Sequence, residues 1–109
     1  MHIDFKKDHD TLIVSVEGRI DTISAPDFQK RMEELLDEGE TKIVMDFEKL
    51  EYVSSAGLRA ILVAAKKAKS LGGRVSCCSL QELVRRVFDI SGFTTLLPVF
   101  DSLEDAMNQ

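Results

Sequence analysis

The 109-residue sequence has few aromatic residues and no tryptophan. Aromatic residues make up 6% of the chain, so the sequence predicts a core built mainly from aliphatic side chains. Long apolar runs are also lacking, since the longest, Ala60 to Ala65, is far too short to cross a bilayer. The N-terminal stretch "MHIDFKKDHD" is too polar for a signal sequence. We therefore expect one domain over residues 1–109, in the cytoplasm and without a membrane segment.

Cysteine and histidine are scarce, which argues against a metal or redox site. Cys77 and Cys78 are adjacent in the strand-like run "RVSCC", and neighbouring residues of a strand point to opposite faces. The chain has no third cysteine, and His2 and His9 lie far away in the polar N-terminal region. The sequence therefore predicts two small apolar side chains in a strand, with no metal and no cofactor.

Positive charge is in deficit. The chain has 14 lysines and arginines against 19 aspartates and glutamates, which gives a net charge of −5 and a pI of about 5.0. An extended surface for nucleic-acid phosphates needs the opposite balance. We expect no nucleic-acid partner, and a protein partner with a basic surface fits the charge better.

The periodicity of apolar residues predicts an α/β fold. Two strand-like runs, "HIDFKK" and "TLIVSVEG", are joined by a polar "DHD" turn and indicate an opening hairpin. Helical and strand-like segments then alternate, so the predicted order is β-β-α-β-α-β-α-β-α. The run "KIVMDF" is typical of a buried central strand, and "LLPVF", which contains Pro98, of a short edge segment. This order predicts a mixed, mostly parallel sheet with about four helices packed on it.

The predicted helix starts draw attention to the stretch "YVSSAGL". Three helices begin with a hydroxyl three residues before a carboxylate, a pattern that caps free amides reciprocally. These motifs are Ser24-x-x-Asp27, Ser79-x-x-Glu82 and Ser102-x-x-Asp105. The second helix differs, because with Ser55 as its cap the third residue on is Leu58. Its amides and dipole would then be open to an anion such as phosphate, although local chemistry alone favours ordinary cap and turn roles for Ser54 and Ser55.

Three segments together resemble the STAS fold of bacterial anti-sigma factor antagonists. They are "VEGRIDTISAPDF", "IVMDFEKLEYVSSAGLRAIL" and "VRRVFDISGF", and the likeness runs from the first strand to the last helix. The resemblance implies a single STAS domain that acts in a partner switch and has no catalytic activity of its own. The unphosphorylated antagonist would bind an anti-sigma factor that is also a serine kinase of the histidine-kinase-like ATPase type. Phosphorylation would release it, and a PP2C-type serine phosphatase would restore it.

The resemblance also implies which residues form the site. The phosphoacceptor falls on Ser55, two residues before Gly57, with Ser54 as the second choice. Family members often carry aspartate at the position of Ser54, and its replacement here adds a second hydroxyl. The family's aspartate after the second strand falls on Asp21, which the fold would bring near the acceptor. The residues expected to contact the kinase are Asp21, Thr22, Ser24, Ser54, Ala56, Gly57, Leu58 and Arg59.

Three other functions would make different demands on the sequence. A serine hydrolase needs a base near Ser55, but the only histidines lie in the first hairpin and no "GxSxG" elbow is present. A phosphoaspartate receiver would use Asp46 at the end of "IVMDF", but it needs an acidic pair after its first strand, where this chain has a tight hairpin. A STAS domain that senses a ligand or acts as a scaffold without phosphorylation remains the main alternative.

Overall fold

A computed structural model describes all residues, 1–109, as a six-stranded sheet with four helices. The strands are β1 (His2–Asp8), β2 (Thr11–Ile20), β3 (Lys42–Asp46), β4 (Leu50–Val53), β5 (Arg74–Cys78) and β6 (Val99–Phe100). The helices are α1 (Ala25–Asp37), α2 (Ser55–Ser70), α3 (Glu82–Ile90) and α4 (Leu103–Met107), and a 3-10 turn spans Phe93–Thr95.

The sheet is mixed and mostly parallel, as predicted. Its order is β1-β2-β3-β5-β6, with β4 paired to β2 beside this path. β1 and β2 form an antiparallel hairpin, and every other strand pair is parallel. β3 is central, because Ile43, Val44 and Met45 are buried and cover both of its faces. The short β6 lies at the edge, which confirms the interpretation of "LLPVF".

The sequence-based order lacked β4, and this was an error. β2 is ten residues long and pairs with two strands in turn: Leu12–Ser15 lie beside β3, and Gly18–Ile20 lie beside β4. The register shifts between Gly18 and Arg19, where Gly18 adopts a φ of +95° that other residues rarely adopt. β4 has only four residues and sits in a charged stretch, so its sequence pattern is weak. Its position is what brings the end of β2 next to the start of α2.

The main core lies between one face of the sheet and helices α1, α2 and α3. It contains 25 buried residues and is mostly aliphatic, with Phe47, Phe88 and Phe93 in edge-to-face contact. Helix α4 covers part of the other face, where Val44, Cys78 and Ala106 form a small cluster. Cys77 faces the main core and Cys78 the small cluster, as the strand pattern predicted. Burial raises the pKa of the Cys78 thiol to about 11, so this thiol is protonated and unreactive at neutral pH.

The predicted cap of α4 is confirmed and that of α3 is wrong. The Ser102 hydroxyl accepts a hydrogen bond from the Asp105 amide over 3.0 Å. At α3 the residue before the helix is Gln81, which makes no side-chain cap. Ser79 lies two residues earlier with a φ of +60°, so it belongs to the turn after β5. A serine three residues before a carboxylate therefore does not predict a helix cap when the helix begins later than the serine would require.

Candidate functional site

The candidate site lies where the parallel strands β2 and β4 end side by side. Ile20 pairs with Val53 at the last position of both strands, and the Ser54 amide donates to the Ile20 carbonyl over 2.9 Å. The chain then turns into α1 on one side and α2 on the other. Asp21 and Ser54, which directly follow the paired residues, are consequently neighbours at one edge of the sheet.

The two adjacent serines have different structural roles. Ser54 is the cap of α2, and its half-buried hydroxyl accepts from the Gly57 amide over 3.1 Å. The expectation that Ser55 caps the helix was therefore wrong, because the cap needs an extended backbone and only Ser54 has one, with φ −89° and ψ 173°. Ser55 is the first helical residue; it is exposed and makes none of the side-chain hydrogen bonds of this site. One hydroxyl thus stabilises the helix, and the other is free.

The start of α2 is electrostatically suited to an anion. The Gly57 amide bonds to Ser54 Oγ and the Leu58 amide to the Ser54 carbonyl. Helix geometry leaves the amides of Ser55 and Ala56 without a partner inside the helix. No acidic residue lies in the first turn, and the exposed Arg59 follows Ser55 by about one turn without an ion-pair partner. A negative group on Ser55 would meet the positive end of the helix dipole.

Gly57 and Leu58, which we expected to contact a partner, are buried and serve packing. A Cβ atom on Gly57 would lie 2.7 Å from the Ile20 carbonyl oxygen and 2.8 Å from a methyl group of Val53. Only glycine allows α2 to approach the ends of β2 and β4 so closely. Leu58 is 8% exposed and belongs to the main core. Both residues therefore fix the position of Ser55 on the sheet.

Asp21 organises the loop between β2 and α1. Its Oδ1 accepts from the Ile23 amide over 3.0 Å and from the Ser24 amide over 2.9 Å. The hydrogen bonds from the amide and the hydroxyl of Ser24 hold the pKa of Asp21 below its ordinary value of 3.8. Arg19 approaches the same carboxylate to 4.0 Å. Asp21 is therefore ionised at neutral pH, and it lies at the same edge of the sheet as the start of α2.

The Ser24 hydroxyl is used within this loop, which corrects the prediction that it caps α1 together with Asp27. It accepts from the Asp21 amide over 2.9 Å and lies 3.1 Å from the Arg19 carbonyl oxygen. Ser24 already has helical backbone angles, φ −87° and ψ −19°, and makes no cap to α1. The hydroxyl of the half-buried Ser24 thus stabilises the loop between β2 and α1.

Thr22 and Arg59 remain accessible beside the acceptor. Both are exposed, and both line an open groove of about 360 Å³ between α1 and α2. Ala56, next to Ser55, contributes to the same groove. The surface around Ser55 is therefore continuous with the loop after β2 and with the facing sides of the two helices.

A prediction concerns the two contributions of Asp21, its charge and its hydrogen bonds. Asp21→Asn keeps the Oδ1 acceptor and removes the charge, whereas Asp21→Ala removes both. We expect amide hydrogen exchange at Ile23 and Ser24 to accelerate in Asp21→Ala and to stay near the wild-type rate in Asp21→Asn. Since the folded-state pKa is depressed, the contribution of the ionised carboxylate is present above pH 3.8 and is lost as the pH falls through the lower folded value. Exchange as slow in Asp21→Ala as in the wild type would contradict this role.

The structure adds one residue that the sequence did not indicate. Ile23, between Thr22 and Ser24, is 90% exposed although it is a large apolar residue.

No group of three or more histidine, cysteine, aspartate or glutamate side chains is arranged to hold a metal ion. None of the helices is both long and apolar enough to cross a bilayer.

Comparisons with known proteins agree with this geometry. The family model of the STAS domain matches residues 2–106. BtrV of Bordetella bronchiseptica, named as an anti-sigma factor antagonist, is 38% identical over 95 residues, which cover 87% of this chain and 82% of that protein. A solved structure from Thermotoga maritima, also described as an anti-sigma factor antagonist, superposes with a TM-score of 0.92 at 25% identity. The match covers 97% of this chain and 92% of the Thermotoga chain.

The fold also matches SpoIIAA, a Bacillus cell fate determinant that is an anti-sigma factor antagonist. Its unphosphorylated form matches with a TM-score of 0.74 at 17% identity, over 98% of this chain and 94% of that one. Its phosphorylated form gives the same TM-score at 19% identity, over 98% and 97%. The chain therefore belongs to the STAS domain family, among the members named as anti-sigma factor antagonists.

Proposed function

We propose that this protein is the phosphorylatable antagonist of a partner switch, with Ser55 as its phosphoacceptor. The observation that carries the proposal is the free, exposed hydroxyl of Ser55 at an entrance to α2 that has no acidic residue in its first turn. Ser54, the other candidate, already uses its hydroxyl to cap the helix. The names of the relatives support a protein that antagonises an anti-sigma factor.

In this proposal the chain is a substrate and a binding protein, and it catalyses nothing. Unphosphorylated, it binds an anti-sigma factor that is also a serine kinase of the histidine-kinase-like ATPase type, in the cytoplasm. The kinase transfers the γ-phosphoryl group of ATP to the Ser55 hydroxyl oxygen, which loses its proton to solvent; ADP is the leaving group, and the complex then dissociates. A PP2C-type serine phosphatase hydrolyses the phosphoserine and returns the chain to its binding form.

The electrostatics of the site explain how phosphate would have opposite effects on the fold and on binding. A phosphate adds about −1.5 to −2 charges at pH 7. The dipole of α2 and its free amides stabilise that charge by roughly 0.3–1 kcal/mol. An interface fitted to a neutral hydroxyl beside the ionised Asp21 would instead meet repulsion and desolvation. Phosphorylation therefore leaves the domain folded and weakens the complex.

The second candidate function is a STAS domain that senses a ligand or acts as a scaffold without phosphorylation. The open groove between α1 and α2, lined by Gln29, Lys30, Glu33 and others, is the feature that favours it. Such a protein would bind its partner in the same way whatever the state of Ser55.

The proposed acceptor is tested by mapping the modified residue. Each histidine-kinase-like serine kinase of the host is purified and incubated with the chain and ATP, and the phosphorylated peptide is sequenced by mass spectrometry. We expect the phosphate on Ser55, and loss of labelling in Ser55→Ala. Ser54→Ala is the matched control and should still be labelled on Ser55. Labelling confined to Ser54, Thr22 or Ser24 would overturn the assignment.

A further inference from the structure

Two isoleucines are far more exposed than the other large apolar residues of this protein. Ile23 is 90% exposed and Ile90 is 88% exposed, whereas the remaining exposed apolar residues reach at most 57%. Single exposed apolar residues are common on protein surfaces and need no explanation by themselves. The two isoleucines differ, however, in their backbone surroundings: Ile23 lies in the loop after β2, and Ile90 ends α3.

Ile23 is carried by a loop that is already ordered. Its own amide bonds to Asp21 Oδ1, and the next amide, that of Ser24, bonds to the same oxygen. The Ser24 hydroxyl ties the loop to the Arg19 carbonyl and to the Asp21 amide. A side chain on such a fixed turn loses little backbone freedom when a partner buries it, so its contact contributes more fully to affinity.

Ile23 also belongs to the loop that follows β2 and borders the groove beside the start of α2. Its neighbour Thr22 shares a groove with Ala56 in the first turn of α2 and with Arg59, one turn after Ser55. The loop leaves the sheet beside Ser54 through the Ile20–Val53 pair. Ile23 is therefore next in sequence to a residue of this groove, on the loop that starts beside Ser54.

We infer that Ile23 is the apolar anchor of the kinase interface, inserted into an apolar pocket of the serine kinase when the chain is unphosphorylated. This inference rests on the proposed function, because it takes the kinase of the partner switch as the occupant. Ile23 is solvent-exposed in the free protein, so its burial in a pocket of the kinase would contribute favourable free energy to binding. Because its loop needs no reordering, Ile23 would be one of the few residues that provide much of the binding energy. Asp21 then has a second use, since it holds the anchor in place.

Ile90 provides a matched control. Ile90 is the last residue of α3, a helix that contributes no residue to the candidate site. The residue type and the exposed fraction are nearly the same as for Ile23. Neither side chain contributes to the core, so a substitution at either position should leave the fold intact.

The test is a calorimetric titration, with ADP present, against the kinase that phosphorylates the chain in the mapping experiment. We expect Ile23→Ser to weaken binding by at least about tenfold, Ile23→Leu by less than about threefold, and Ile90→Ser by less than about twofold. Thermal unfolding should be unchanged in all three variants. Wild-type affinity of Ile23→Ser, or an equal loss in Ile90→Ser, would overturn the anchor.

A Ser55→Asp variant in the same series distinguishes a failure of the Ile23 anchor from a failure of the proposed function. If Ser55→Asp weakens binding and Ile23→Ser does not, the anchor is wrong and the proposed function stands. If no host kinase phosphorylates Ser55, or if Ser55→Asp binds as tightly as the wild type, the proposed function fails and the anchor fails with it.

Discussion

Replacing Ser55 with aspartate is expected to weaken binding to the serine kinase by about 100-fold, whereas Ser55→Ala should bind within about threefold of the wild type. Alanine removes only a hydroxyl that makes no hydrogen bond within the site. Aspartate puts a charge on an exposed position of the proposed kinase interface, where a like-charge contact or the desolvation of an unpaired charge costs several kcal/mol, and about 2.7 kcal/mol corresponds to 100-fold. Calorimetric titration with ADP present measures the difference.

Ser54→Asp is the matched control for this experiment. Aspartate is as good a helix cap as serine, so this variant keeps the Gly57 amide bonded and adds the same charge one residue away. We expect it to lose much less affinity than Ser55→Asp, because the Ser54 side chain turns back into the helix start and is half-buried. Equal losses of affinity in the two variants would mean that binding depends on the total charge of this region and not on the charge at Ser55 in particular.

Gly57→Ala is expected to destabilise the domain by about 1–2 kcal/mol, the largest effect on stability of the substitutions considered. Alanine in a helix is favoured over glycine by up to about 1 kcal/mol, which opposes the effect. The added Cβ, however, would lie 2.7 Å from the Ile20 carbonyl oxygen, an atom of the backbone that cannot rotate away. The start of α2 has to move away from the ends of β2 and β4, and Ser55 moves with it.

Chemical denaturation and the rate of phosphorylation measure the two consequences of Gly57→Ala. Ser55→Ala, two residues earlier in the same helix, introduces the same residue type without a clash and should change stability by less than about 0.5 kcal/mol. A Gly57→Ala variant as stable as the wild type, with an unchanged amide spectrum around Ser55, would show that α2 is not held by this contact.

The sequence predicted the fold where apolar patterns are long or strongly buried. The run through Ile43, Val44 and Met45 indicated the central strand, and the opening hairpin and the four helices were found from their periodicities. β4 was missed because its four residues become a strand only through pairing with the far end of β2, beyond the irregularity at Gly18. Leu83 follows the apolar pattern of α3 and is nevertheless 55% exposed, since α3 buries a narrower face than its apolar residues suggest.

For the candidate site, residue types could be predicted and backbone conformations could not. The choice between Ser54 and Ser55 as the cap depends on which residue is still extended, and two adjacent serines give no sequence signal for it. The same applies to Ser24, whose helical backbone turns its hydroxyl towards Asp21 and Arg19. The exposure of Ile23 follows from the turn that Asp21 fixes, which becomes visible only in the three-dimensional structure.

The most direct test of the central claim, that phosphate on Ser55 controls binding without refolding the domain, uses one preparation of this protein from its own host. The sample is split, one half is treated with a serine phosphatase, and both halves are titrated against the kinase with ADP present and recorded by amide NMR. We predict a phosphorylated pool that binds about 100-fold more weakly than the treated half, with spectral differences confined to residues near Asp21 and the start of α2. Equal affinities, or a sample that carries no phosphate on Ser55 in any growth condition, would contradict the account.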